Sequence, residues 1–61
     1  MRYTLFVTDS NSSKQLYSSE DLASLKADAD FRQRLAKEED DQTDIQYIVK
    51  QAYRLVYKAR A

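Results

Sequence analysis

Cysteine, histidine, glycine, proline and tryptophan are all missing from this chain of 61 residues. Each absence removes a class of structure or chemistry. Without cysteine there is no disulfide, and without cysteine or histidine there is no zinc site of the usual kind. The common nucleophile–base pairs of catalysis go with them. Phosphate-binding loops, dinucleotide fingerprints and EF-hand calcium loops all require glycine, so none is present. Every turn must be made by Asn, Asp, Ser or Gln. No apolar run approaches the roughly 18 residues of a membrane span. The N-terminus lacks the basic-then-apolar layout of a signal peptide. A cytoplasmic protein with no membrane contact is expected, and the absence of cysteine fits a reducing compartment.

The charges present are ten basic and ten acidic, a net of zero. They are unevenly spread. Glu38, Glu39, Asp40, Asp41 and Asp44 form an acidic cluster. After it come Lys50, Arg54, Lys58 and Arg60 with no further acid. A balanced total argues against a nucleic-acid mimic and weakens a DNA-binding role. A chain this short buries only about 60 % of its unfolded surface, so its core is marginal. With disulfides and zinc excluded, association remains the means of support, as a homodimer or a hetero-complex.

Residues 2–8 alternate and are rich in aromatic and β-branched types, which predicts a strand. Tyr3, Leu5 and Val7 point one way, and Thr4, Phe6 and Thr8 the other. The polar run 9–13 predicts a turn, with Asn11 the candidate for a left-handed conformation. A short return strand then closes an antiparallel hairpin over 2–18. Its free edge is open to a second copy, which would complete a four-stranded sheet.

Residues 19–39 predict a helix or a broken helix, capped by Ser18 with Asp21 three residues on. Leu22, Leu25 and Ala29 share a face, while Phe31 and Leu35 lie about half a turn away. Either one helix is buried on two sides, or it breaks at Asp28-Ala29-Asp30; the spacing favours the break. The acidic residues 38–42 form the connection to the next element. Residues 43–60 predict one long amphipathic helix. Thr43 is its expected N-cap and Gln46 completes a capping box. Ile45, Ile48, Val49, Ala52, Leu55, Val56 and Ala59 fall on one face at about 100° per residue. The expected fold is a single α+β domain over 1–61: an N-terminal two-stranded antiparallel hairpin followed by two or three helices, ββα(α)α.

No motif carries a family resemblance. An enzyme is not expected, and the best carboxylate pair left is Glu38 or Asp41 with Asp44. The acidic cluster matches no calcium- or magnesium-loop spacing, so no metal, cofactor or small-molecule substrate is expected. What stands out is surplus aromatic and basic surface. Phe6, Tyr17, Tyr47, Tyr53, Arg54 and Tyr57 are the candidate contacts for a protein partner, in a small regulator, adaptor or inhibitor. The alternative is nucleic-acid binding through Lys50, Arg54, Lys58 and Arg60, on the outer face of the last helix.

Overall fold

The structure is a computed structural model, and it describes residues 1–39 and 44–60. Its elements are β1 (Tyr3–Thr8), β2 (Ser13–Ser19), α1 (Leu22–Glu39), β3 (Gln46–Gln51) and β4 (Arg54–Lys58). The strands form one four-stranded sheet in the order β2-β1-β3-β4, antiparallel at every junction. The expected ββα(α)α order is therefore wrong: the described residues are ββαββ, with a single helix among them. Because β1 is antiparallel to both β2 and β3, those two run the same way. Helix α1 carries the chain from one to the other across a face of the sheet. Under it lies the core of Leu5, Leu25, Ala29, Val49 and Ala59, with Tyr3, Leu16, Leu22, Tyr47 and Tyr57 packed around it.

The largest correction falls on 43–60, where the expected amphipathic helix is a hairpin. Tyr, Ile and Val lose rotamer freedom in a helix and fit a pleated surface instead. Tyr47, Ile48, Val49, Tyr53, Val56 and Tyr57 supply those types. The apolar spacing that mimics a helical stripe comes from two short strands, each apolar on both faces at its centre. The turn between them is Ala52-Tyr53, which joins the Gln51–Arg54 pair. Ala52 has a φ of 57°, the one positive value among the described residues. A positive φ at the first central position fits a two-residue hairpin loop, a site glycine normally takes. The turn was thus hidden behind an alanine. The expected Thr43 cap lies outside the described residues.

This backbone yields a signed prediction. The left-handed region costs an L-residue about 1–2 kcal/mol, partly offset by the extra chain entropy of glycine. Ala52→Gly is expected to stabilise the protein by about 0.5–1 kcal/mol in thermal unfolding. In a helix the same change would cost about 1 kcal/mol, so the sign separates the two folds.

Helix α1 runs unbroken through Asp28-Ala29-Asp30, so the expected break does not occur. Leu25 and Ala29 face the sheet, and Phe31 points away from it. Its cap is Asp21 rather than Ser18. The Asp21 carboxylate accepts the Ser24 N–H at 3.2 Å and the Ser24 hydroxyl at 2.7 Å. Those bonds hold the carboxyl below its usual range, the hydroxyl contributing most. In the β1–β2 turn, Asp9 Oδ1 accepts the N–H groups of Asn11 at 2.8 Å and Ser12 at 2.7 Å. Asn11 does not adopt the left-handed conformation expected of it.

A second copy is not needed to complete the sheet, since four strands come from one chain. The exposed edges are β2 and β4, and each carries an extra residue that breaks the ladder. Leu5 pairs with Tyr17 and Phe6 with Gln15, leaving Leu16 over. Val49 pairs with Tyr57 and Lys50 with Leu55, leaving Val56 over. Bulged edges are poor templates for further strands.

Candidate functional site

Paired residues of an antiparallel sheet share a face, so the register sorts the side chains. The helix side holds Leu5, Val49 and Tyr57. Two rungs line the other side. One runs Ser18, Thr4, Lys50, Leu55, and the other runs Gln15, Phe6, Ile48, Lys58, each in the order β2 to β4. Among the described residues no element covers these rungs.

Ile48 sits at the centre and is only 9 % exposed, while Leu55 is 45 % exposed. Phe6 is half-buried. The Lys50 ammonium lies over the Phe6 ring, 5.2 Å from its centroid. Such a contact is worth about 0.5–1 kcal/mol when exposed. The Thr4 and Ser18 hydroxyls are bonded to each other at 2.9 Å. No carboxylate occupies either rung. More broadly, the four strands carry Lys14, Lys50, Arg54 and Lys58 and no acidic residue at all. Among the described residues the acids lie in loops and on the helix. The open face is therefore cationic on a protein of zero net charge.

The candidate residues separate into four places. Phe6, Lys50 and Lys58 meet on the open face. Tyr53 and Arg54 are exposed at the β3–β4 tip, and Arg54, paired with Gln51, falls on the face opposite Lys50 and Leu55. Tyr17, Tyr47 and Tyr57 lie on the helix side. Tyr47 packs against the core. The Tyr17 hydroxyl donates to Asp28, and the Tyr57 hydroxyl donates to both oxygens of Asp30 at 2.8 Å. These bonds fasten the two outer strands to opposite flanks of one turn of α1. Arg60 lies beyond β4, where its backbone N–H donates to Asp30 at 2.8 Å. Leu55, expected on one apolar face with Ile48 and Val49, is exposed on the open side of the sheet, while Ile48 is buried at its centre. No local alternation separates Ile48 from Val49, since 46–51 is apolar on both faces at its centre.

The Asp30 clamp has a pH signature. The Arg60 N–H, helped by the Tyr57 hydroxyl, holds the Asp30 carboxyl below its usual range. The same carboxylate pushes the Tyr57 hydroxyl up. A lowered acid stabilises above its unfolded value, about 3.9, and that contribution is lost as pH falls through its folded value. A raised tyrosine stabilises below about 10 and loses its contribution as pH rises through its folded value. Urea midpoints should be flat between these limits and fall on both sides. Asp30→Asn should reduce the acid slope, leaving the part carried by Asp9 and Asp21, whose carboxyls are also held low by local hydrogen bonds.

Behind the sheet end, Gln33 is a buried polar residue, 3 % exposed. Its amide donates to the Ile45 carbonyl at 2.8 Å and accepts the Tyr47 N–H at 2.7 Å. The Tyr47 carbonyl takes the Ala59 N–H at 2.9 Å. In this ladder a residue's N–H and C=O point to the same neighbour. Where β4 ends, the Gln33 side chain thus replaces the missing strand partner and holds the entry of β3.

Among the described residues there is no group of three or more potential metal-ligating side chains. No helix among them is long and apolar enough to cross a membrane. Of the carboxylates named for chemistry, Asp41 lies outside the described residues, and Glu38 and Asp44 are exposed. No protein family, curated protein or solved structure matches this chain.

Proposed function

We propose that this protein is a non-enzymatic protein-interaction module and that the open face of its sheet is the docking surface. One observation carries the reading. No element covers two full rungs of a four-stranded sheet, apolar at Phe6 and Leu55 around a buried Ile48, cationic at Lys50 and Lys58, and free of carboxylates. Aliphatic side chains and lysine stems offer contact area, and the ammonium groups steer an oppositely charged partner. The partner is a protein presenting an acidic surface with apolar residues within it. Tyr53, fully exposed at the tip, adds an aromatic beside the surface, where Tyr often acts as an anchor. A small regulator, adaptor or inhibitor works by such contacts alone.

Single-stranded nucleic acid is the second reading, supported by Phe6 on a central strand with Lys50 and Lys58 on the strands to one side of it. It has less behind it. Phe6 is the one aromatic on the two rungs, its ring is covered by Lys50, and Arg54 and Arg60 lie off the rungs. Nucleic-acid platforms use several stacked aromatics and more cations.

The immobilised protein should capture a partner from lysate of its source cells, and nuclease treatment should not reduce the capture. A Phe6→Ala, Lys50→Glu, Leu55→Ser triple variant that folds normally should lose it. Equal capture by the variant would show the face to be wrong. Loss on nuclease treatment would transfer the face to nucleic acid.

A further inference from the structure

Phe31 sits on the side of α1 opposite Leu25 and Ala29 and is 56 % exposed. At about 100° per residue, Ala27 and Leu35 flank it one turn before and after. The half-turn offset of Phe31 and Leu35 is thus a second apolar stripe on a straight helix, facing away from the sheet. Its flanks are charged in a particular order. Asp28 and Arg32 lie on one side, joined as an ion pair at 3.0 Å. Asp30 and Arg34 lie on the other.

We infer that a second copy of this chain covers this stripe, with the two α1 helices antiparallel about a two-fold axis at Phe31. That axis stacks phenylalanine on phenylalanine and seats Ala27 of each copy beside Leu35 of the other. It also brings Asp28 of one copy beside Arg32 of the other on one flank. On the opposite flank Arg34 comes beside Asp30. Each pair is offset by two residues, a rise of about 3 Å. The pattern is self-complementary, as an isologous contact requires. The open sheet face is not: with lysines and no carboxylates, two copies would set like charges against each other. Charge therefore assigns the helix stripe to self-association and leaves the sheet for a different partner. In the dimer the helices lie inside and the two open faces point outward. It presents two copies of the docking surface proposed above, though the dimer does not depend on that reading.

Sedimentation from micromolar to millimolar protein, without any partner, tests this. Wild type should show a monomer–dimer equilibrium. Phe31→Arg should raise the dissociation constant more than about thirtyfold, since each dimer loses two buried rings. Its circular dichroism should be unchanged, and Phe31→Leu should retain the dimer. Ala27→Arg, at an exposed site on the same stripe, should give the same loss and serves if Phe31→Arg misfolds. A wild type that stays monomeric at millimolar concentration overturns the inference. So does a dimer that survives both arginine variants.

Discussion

Gln33→Leu is expected to lower the unfolding free energy by about 2–4 kcal/mol. Leucine is at least as good a helix former, so the helix itself should not suffer. The loss comes from the groups left behind. The Ile45 carbonyl and the Tyr47 N–H both lose the partner that Gln33 gives them, at 2.8 and 2.7 Å. Leaving a buried polar group unpaired costs about 1–3 kcal/mol each. For a domain of this size each kcal/mol corresponds to roughly 4–8 °C in melting temperature. Urea unfolding with an unchanged slope checks the size of the effect. A change under about 0.5 kcal/mol would mean that the amide does not hold the entry of β3.

The second large effect concerns binding. Lys50→Glu with Lys58→Glu should weaken the protein partner roughly a hundredfold, about 2.7 kcal/mol. Both side chains point off the open face, Lys58 exposed and Lys50 half-buried, so the fold should tolerate the change. Reversal leaves carboxylates facing an acidic surface, and the loss should appear mainly in the association rate and shrink with added salt. Titration calorimetry at two salt concentrations separates this from misfolding. Unchanged affinity would remove the electrostatic basis of the proposed partner.

How much of this was legible in the sequence depends on the element. The first hairpin announces itself, because 2–8 alternates and 9–13 is a polar run. The second does not, because its turn is made by Ala52-Tyr53 without glycine, asparagine or aspartate. Its strands also carry apolar residues on both faces, so a period of two blurs into one of 3.6. What decides the contest is tertiary. Val49 lies beside Leu5 on β1 and under Leu25, and Gln33 anchors the start of β3, contacts no local pattern reveals. The candidate site followed the same logic. Phe6, Lys50 and Lys58 could each be picked out by residue type, but only the β1–β3–β4 register places them on one face. Tyr17 and Tyr57 looked like surplus aromatic surface because Asp28 and Asp30, their partners, are distant in sequence. The phase offset of Phe31 and Leu35 is legible in the sequence, and on an unbroken helix it belongs to an outward stripe.

The central claim is that the open sheet face, and not the helix, receives the protein partner. Chemical-shift mapping of isotope-labelled protein on addition of the captured, nuclease-treated partner tests it most directly. The account predicts the largest changes at Phe6, Ile48, Lys50, Leu55 and Lys58, with Ala27, Phe31 and Leu35 little affected. Changes centred on Phe31 with the sheet face silent would contradict it.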